Sequence, residues 1–233
     1  MNAAVRVPEK LDVRSVADLS RDLAAAIAGP DRVVLLTGAH AGVFCLGMML
    51  DAAHDVRHET RAFAGVLLAL HRARKPTLAV IDGQTIGGGL GLAAACDWVI
   101  ATDASTFALP ELLWGLVPAV IWPVITDRMA PHVARQWTLS AHTRLATEAA
   151  AVGLVDDVLP AEGIGPAIRR AERRLARLEP HALVTFRQWT RTSRSLDLPD
   201  ALERGADIAS SLIGASPARD RWFDFSAGDA PSS

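Results

Sequence analysis

Glu111 is the side chain whose surroundings most strongly suggest acid–base chemistry. It is the only ionisable residue between Asp103 and Asp127, and it follows Pro110 in the otherwise apolar stretch 107–118. A carboxylate is costly to bury in such surroundings unless it is paired or functional. Two interpretations are open from these residues alone: a general base that removes a proton from carbon, and an exposed acid at the start of a helix.

A run of three glycines, residues 87–89, could bind a negative charge through its backbone. It lies in the segment 82–97, between a predicted strand and a predicted apolar helix. The first N–H groups of a helix lack partners within it, and the helix dipole favours an anion or a developing oxyanion there. The spacing matches neither a P-loop, because no Gly-Lys-Ser/Thr follows, nor the GxGxxG fingerprint. A tight turn with close helix packing is the competing interpretation.

A second glycine-containing turn, residues 42–48, also follows a predicted strand. Taken alone, it is typical of a plain loop. Together with residues 87–89 it provides two strand-end turns, each of which could direct one backbone N–H at the same point. Two convergent N–H donors are the requirement of an oxyanion hole.

Strands and helices alternate in the part of the chain that would position these turns. Short apolar runs predict buried strands, and apolar residues at helical spacing predict helices. The predicted helices cover residues 16–27 after a candidate cap at Ser15, 60–73 and 88–95, and the predicted strands cover residues 33–37, 77–81, 98–101 and 106–108. This alternation indicates βαβ units and a mostly parallel sheet, and therefore an α/β fold.

Arginine-rich helical patterns replace the strands in the last third of the chain. Two helices are predicted there, over residues 180–194 and 199–215, each with a proline in its first turn. We therefore expect three regions: an α/β core that carries the site over residues 1–160, a C-terminal helical region over 161–225, and a frayed tail over 226–233.

The composition is that of a globular protein. The 233 residues are 50% hydrophobic with a formal net charge of -2, which favours a large core and argues against a nucleic-acid partner. Cys45 and Cys96 are far apart and lack metal-ligand spacing, so we expect a reducing compartment and no metal site. Residues 1–11 contain no apolar run typical of a signal peptide, and no segment suits a membrane span. We predict a cytoplasmic protein that does not associate with membranes.

Together, the segments 44–48, 82–97, 110–118 and 153–156 resemble those of the crotonase (enoyl-CoA hydratase/isomerase) superfamily, in matching order along residues 8–219. The resemblance implies a ββα spiral core with a C-terminal helical oligomerisation region that builds homotrimers or hexamers. It implies an acyl-CoA or acyl carrier protein thioester as substrate, with CoA or phosphopantetheine as part of that substrate and no separate cofactor. It also implies roles for particular residues: Glu111 as catalytic base, the N–H groups of Met48 and Gly88 as the oxyanion hole, and Leu46, Gly47, Gly87, Gly91, Trp114 and Val117 at the substrate.

The chain departs from the superfamily pattern at several positions. Hydratases carry a first glutamate just after the glycine run, where this chain has Gly91, so only Glu111 remains of their pair. A related isomerase group has an acid where this chain has Ala119, and residues 119–123 replace a glycine-rich stretch. The superfamily's first strand is expected to be missing, since Pro8 already aligns near the end of that strand.

Single-glutamate members include double-bond isomerases and the dehydratases of polyketide β-branching cassettes. Residues 109–120 and 128–131 look most like those dehydratases, which act on a 3-hydroxy-3-methylglutaryl unit held by an acyl carrier protein. The resemblance therefore implies an acyl-thioester dehydratase. The alternatives are an enoyl-thioester isomerase and a non-catalytic acyl-thioester-binding subunit.

Some further residues have both a functional and a structural interpretation. His54, His58 and His71 could touch the substrate or lie on solvated helix faces, and Trp114 and Trp122 could line an acyl tunnel or pack in the core. The arginine-rich run 169–194 could meet CoA phosphates or an acidic carrier protein, although such runs are more often solvated helix faces.

Overall fold

The computed structural model describes residues 4–49 and 55–214, and within them the residues up to Leu178 form one compact unit. The elements of this unit, in chain order, are β1 (Val5–Val7), α1 (Val13–Ala28), β2 (Val34–Gly38), β3 (Val43–Cys45), α2 (Val56–Arg72), β4 (Thr77–Ile81), β5 (Gln84–Ile86), α3 (Gly88–Ala94), β6 (Trp98–Thr102), β7 (Thr106–Ala108), a 3-10 helix (Glu111–Trp114), α4 (Trp122–Arg128), α5 (Pro131–Ser140), β8 (Arg144–Leu145), α6 (Ala146–Ala151), β9 (Asp157–Leu159) and α7 (Ala161–Leu175).

These strands form two sheets. The five-stranded sheet is parallel throughout, in the order β1-β2-β4-β6-β9. The four-stranded sheet has the order β3-β5-β7-β8, and only β8 runs antiparallel. Each repeat contributes one strand to each sheet: β2 and β3, then β4 and β5, then β6 and β7. The structure thus confirms the predicted α/β fold and its ββα spiral.

The five-stranded sheet is buried on both faces, which explains the uninterrupted apolar strands. Side chains alternate along each strand, so one set enters the main core and the other meets α7. The second set forms a separate apolar cluster: Val33, Leu35, Leu78, Val80 and Ile100 with Ala167, Ala171 and Leu175 of α7.

Two helices begin earlier than the sequence pattern predicted, because aspartates cap them. Asp12, rather than Ser15, is the N-cap of α1: its carboxylate accepts from the Ser15 N–H at 2.7 Å, while the Ser15 hydroxyl accepts from the Asp12 N–H. Asp55 caps α2 in the same way, by accepting from the His58 N–H at 3.1 Å. Each cap satisfies an N–H that the helix itself cannot.

Two expectations about the ends of the core need correction. The first strand is present: β1 pairs with β2, with Val5 opposite Leu36. The first compact unit also extends to Leu178, past the boundary predicted at residue 160. The physical reason is that α7 covers the outer face of the five-stranded sheet through Ala167 and Leu175. A helical pattern alone does not reveal whether a helix packs on a preceding sheet.

The second unit begins at Glu179 and contains the predicted C-terminal helices. They are α8 (Pro180–Thr192), which is followed by a short 3-10 turn (Ser193–Ser195), and α9 (Leu198–Gly214). Glu179 caps α8 by accepting from the Ala182 N–H at 2.7 Å. The predicted tail 226–233 lies outside the described residues. No helix in the described part of the chain is long and apolar enough to cross a membrane.

Candidate active site

A cavity of about 340 Å³ opens between the two glycine-containing turns and the 3-10 helix. Eight of the nine residues assigned to the site from sequence line it: Leu46, Gly47, Met48, Gly87, Gly88, Glu111, Trp114 and Val117. Gly91 is not among the lining residues. The strand-end turns thus meet at one place, as the parallel topology requires.

Glu111 begins the 3-10 helix that follows Pro110, and its carboxylate lies against the backbone of Gly87. A Cβ placed on Gly87 would lie 2.8 Å from Glu111 Oε1. The other oxygen, Oε2, is buried and has no hydrogen-bond partner among the described residues. Burial raises the pKa of this carboxyl, and its own backbone N–H opposes the shift only in part. A carboxyl with a raised pKa and an unpartnered oxygen in a cavity has the properties of a general base.

Gly87 allows this approach because of its conformation. Its φ is +51°, a backbone conformation that residues with a side chain rarely adopt. Its N–H donates a hydrogen bond to the Ala108 carbonyl at 3.0 Å. This bond connects the start of α3 to the end of β7, the strand that leads to Glu111. Main-chain contacts therefore fix the start of the Glu111 segment relative to the glycine turn, and among the described residues no salt bridge reaches Glu111.

The two predicted N–H donors lie on turns that touch. A Cβ placed on Gly47 would lie 3.4 Å from the Gly88 nitrogen, and the φ of Gly47 is +90°. Neither the Met48 nor the Gly88 N–H donates to a backbone carbonyl of the described residues. Met48 and Gly88 both line the cavity, and the oxyanion hole assigned to their N–H groups stays a prediction.

The turn that carries Met48 is held by the chain segment before α1. The Leu46 N–H donates to the Glu9 carbonyl at 2.7 Å, and the Met49 N–H donates to the Leu11 carbonyl at 2.8 Å. Between them, the Leu11 N–H donates to the Gly47 carbonyl at 2.9 Å. This ladder positions the Met48 N–H, and sequence analysis did not anticipate it because the pairing joins two loop segments.

Gly91 lies one helical turn after Gly87, and its N–H donates to the Gly87 carbonyl at 3.1 Å. Its surface is covered by Ile121: a Cβ on Gly91 would lie 2.8 Å from Ile121 Cβ and closer still to Ile121 Cγ2. Ile121 itself lines the cavity. Gly91 therefore packs behind the cavity wall and does not form it.

Several lining residues were not predicted. Val56, Thr60 and Phe63 lie on α2 at helical spacing, and Ile86 ends β5. The others follow the 3-10 helix: Leu116, Pro118, Ala119, Val120 and Ile121. The i, i+4, i+7 spacing of Val56, Thr60 and Phe63 was a signal for a shared face. Thr60 adds little polarity, because its hydroxyl bonds to the Val56 carbonyl at 2.9 Å.

The other candidates from sequence lie elsewhere. His58 and His71 are on α2 but do not line the cavity, and His54 lies outside the described residues. Trp122 lines a neighbouring apolar groove of about 440 Å³. Of the arginine-rich run, Arg174 stacks on the Trp98 ring, with its guanidinium carbon 4.2 Å from the ring centre.

Cys45 lies beside the site without the properties of a nucleophile. Burial raises the pKa of its thiol to about 12, so the thiol stays protonated at neutral pH. Its role is packing: a Cβ on Gly89 would lie 2.7 Å from Cys45 Cβ. Strand β3 and helix α3 can approach this closely only because residue 89 is glycine.

Comparisons with known proteins agree with this geometry. The family model described as Enoyl-CoA hydratase/isomerase matches residues 15–219. Carnitinyl-CoA dehydratases from Salmonella arizonae and Proteus mirabilis are 31% and 30% identical to the chain, over 72% of it and 67% of their own length. Human enoyl Coenzyme A hydratase domain-containing protein 3 superposes with a TM-score of 0.82 at 19% identity, covering 97% of this chain and 91% of that one. An enoyl-CoA hydratase from Bacillus anthracis gives 0.81 at 22% identity, covering 94% and 87%.

Proposed function

The chain belongs to the enoyl-CoA hydratase/isomerase family, and from this membership and the cavity around Glu111 we propose that it is an acyl-thioester dehydratase. The observation that carries the proposal is the position of Glu111 in a cavity that Met48 and Gly88 also line. Among residues 4–49 and 55–214, the buried Glu111 Oε2 has no hydrogen-bond partner and the Met48 and Gly88 N–H groups donate to no backbone carbonyl. The name of the carnitinyl-CoA dehydratases supports the reaction class, since they are about 30% identical to this chain.

In this mechanism the thioester carbonyl oxygen accepts hydrogen bonds from the Met48 and Gly88 N–H groups. Glu111 removes the α-proton, and the electron pair of the broken C–H bond moves onto the carbonyl oxygen as an enolate. The two donors stabilise that charge; loss of one such donor typically costs about 3 kcal/mol of transition-state stabilisation. Protonated Glu111 then gives its proton to the β-oxygen. The C–O bond breaks, the α,β double bond forms, and water leaves.

A double-bond isomerase is the second candidate, and the cavity lining favours keeping it. Among the described lining residues, Glu111 is the only ionisable side chain. The same carboxyl could remove an α-proton and return it at the γ-carbon when the substrate has no β-hydroxyl. A 3-hydroxyacyl thioester and a 3-enoyl thioester, assayed side by side, distinguish the two reactions because only the first can lose water.

A non-catalytic acyl-thioester-binding subunit is the remaining alternative. The absence of a carboxylate at Gly91 supports it. The missing first strand no longer does, since β1 is present. A protein that binds thioesters with measurable affinity, yet changes the mass of none of them, would fit this alternative and not the enzyme.

The carrier of the acyl group is the finer part of the proposal. The carnitinyl-CoA dehydratases support a CoA thioester, whereas the resemblance of residues 109–120 supports a 3-hydroxy-3-methylglutaryl unit on an acyl carrier protein. The arginine-rich run 169–194 offers positive charge to either the CoA phosphates or an acidic carrier. Comparing kcat/KM for one acyl group on both carriers decides between them.

We also propose, from the family resemblance, that the protein assembles into homotrimers or hexamers in the cytoplasm. Large apolar side chains beside the site support a subunit contact: Leu113, Trp114 and Val117 are 71%, 66% and 71% exposed. Exposed apolar groups in such a cluster mark interaction surfaces. Light scattering of the purified protein measures the assembly, and a monomer at micromolar concentration would contradict it.

The reaction is tested with a panel of 3-hydroxyacyl thioesters on CoA and on carrier protein, analysed by mass. We expect loss of one water from at least one thioester, with release of the enoyl product. Loss of water from no member of the panel, under conditions where binding is detected, would contradict the dehydratase.

A further inference from the structure

Glu111 and Ile121 cover two glycines that lie one helical turn apart, at the start of α3 and within it. The Glu111 carboxylate lies over Gly87, and the Ile121 side chain lies over Gly91, one turn further along. Both side chains reach the same cavity. The backbone at the start of α3 is therefore covered by a carboxylate at Gly87 and by a branched hydrocarbon side chain at Gly91.

Ile121 is held firmly in this place. Only 4% of its surface is exposed, and it belongs to the main core cluster. It is the N-cap residue of α4, and its carbonyl accepts from the Ile125 N–H at 3.1 Å. Because a buried β-branched side chain at a helix start has few alternative rotamers, Ile121 forms a fixed part of the wall.

The wall around the base is poor in groups that could bind water. Besides Glu111, the polar side-chain groups among the described lining residues are the Thr60 hydroxyl, which bonds to its own helix, and the Trp114 indole. A buried water needs two to four polar partners, and once the thioester carbonyl occupies the Met48 and Gly88 N–H groups, these side chains offer few others besides Glu111. A polar atom at position 121 would add a partner for water beside Glu111, since the glycine that residue 121 covers is one turn of α3 from the glycine that Glu111 covers.

We propose that Ile121 determines the chemistry of the site by keeping solvent away from Glu111 while an acyl group is bound. It does so by filling the space over Gly91 with hydrocarbon. The proton taken from the α-carbon then stays on Glu111 until it is transferred within the substrate, and no solvent proton replaces it. Ile121 is thus a specificity-determining residue that restricts the site to proton transfers by one carboxyl. This inference rests on the proposed base function of Glu111.

The test compares two variants of the same shape, Ile121→Val and Ile121→Thr. Valine and threonine side chains have nearly the same shape and are both shorter than isoleucine by one carbon, but threonine has a hydroxyl where valine has a second methyl. Only threonine therefore adds a polar atom that can bind water. The substrate is butyryl-CoA, a saturated thioester with no group to eliminate, in D₂O. The readout is the rate of deuterium incorporation at the α-carbon, with Glu111→Gln as the background.

Exchange requires Glu111 to remove the α-proton and then to trade it with solvent before returning it. We expect incorporation to be several-fold faster with Ile121→Thr than with Ile121→Val. Taking the ratio of the two variants cancels any loss of substrate binding that both share. Equal rates in the two variants, both above the Glu111→Gln background, would overturn the inference and leave Glu111 as the base.

Two further results distinguish this inference from the proposed function itself. No incorporation above the Glu111→Gln background in either position-121 variant would overturn the inference alone, because a base that returns its proton without exchange also incorporates no deuterium. Dehydration of a 3-hydroxyacyl thioester by Glu111→Gln at the wild-type rate would show that Glu111 is not the base, and that second outcome overturns the function and this inference together. Circular dichroism melting curves of each variant confirm that the compared proteins are folded.

Discussion

The Glu111 carboxylate stands over Gly87, with Oε1 2.8 Å from the point where a Cβ on that glycine would lie. The Glu111 carboxylate occupies the space that a side chain at position 87 would take. Because Gly87 also has a φ of +51°, the position combines a conformational and a steric requirement for glycine.

Gly87→Ala is therefore expected to impair both turnover and stability. The added methyl must displace the Glu111 carboxylate, and a side chain in this positive-φ backbone lowers the free energy of unfolding by about 1–3 kcal/mol. Gly42→Ala is the matched control, because Gly42 has a φ of +75° but no atom within 4 Å of the new methyl. We expect a similar loss of stability from both variants by urea unfolding, with turnover lost only for Gly87→Ala. Equal turnover in both would contradict the steric role.

Glu111→Gln is expected to stabilise the fold at neutral and alkaline pH. Burial raises the pKa of Glu111 in the folded state, so ionisation of this group costs stability as the pH rises above its unfolded pKa of about 4.3. Glutamine carries no charge to bury. The Tm of the variant should exceed that of the wild type at pH 8, and this difference should shrink as the pH falls toward 4. A Tm advantage that does not depend on pH would argue against this cause.

Gly91 and Ile121 should be energetically coupled. Gly91→Ala places a methyl within 2.8 Å of Ile121 Cβ, and such overpacking typically costs about 1–3 kcal/mol of unfolding free energy. In an Ile121→Ala background the space is open, so the cost of the same substitution should be smaller. A double-mutant cycle by urea unfolding measures the difference. Additive effects of the two substitutions would contradict the contact.

The ion pair between Arg128 and Asp156 should matter more for stability than a surface pair. The Arg128 side chain is 12% exposed, and it also donates to the Leu154 and Cys96 carbonyls at 2.9 and 2.8 Å. Burial raises the pKa of Asp156 although Arg128 opposes this, so the carboxylate depends on its partner. Arg128→Met should cost about 3–5 kcal/mol of unfolding free energy.

Arg21→Met is the control for this pair. Arg21 bonds Asp18 at 2.7 Å, but its side chain is 71% exposed, so its removal should cost less than about 1 kcal/mol. Thermal and urea unfolding of both variants provide the comparison. Similar losses in the two variants would show that burial does not strengthen the Arg128 pair.

The α/β fold and most of its elements could be predicted from the sequence because buried strands and amphipathic helices each have a characteristic apolar pattern. Strand Thr77–Ile81 was placed at its observed bounds. Helix α1 begins three residues earlier than predicted because Asp12 caps it, and this aspartate lies four residues before Val16, the first residue of the predicted helix. The attachment of α7 to the sheet depends on contacts with distant residues such as Leu78, which no local pattern contains.

The part of the candidate site that could be predicted consists of residues in short contiguous motifs of the sequence. Met48, Gly88 and Glu111 belong to such segments, and the structure brings them to one cavity. Gly91 was assigned to the substrate, but it lies behind Ile121. That assignment considered each residue separately, whereas the contact between residues 91 and 121 depends on how α3 and α4 pack.

The central claim is that Glu111 is the base of an acyl-thioester reaction, and the most direct measurement is the turnover of Glu111→Gln on a 3-hydroxyacyl thioester that the wild type dehydrates. General acid–base catalysis typically contributes a factor of about 100–10,000, so kcat should fall by at least that much while thioester binding and the melting transition are retained. Dehydration by Glu111→Gln at a rate near that of the wild type would contradict the account.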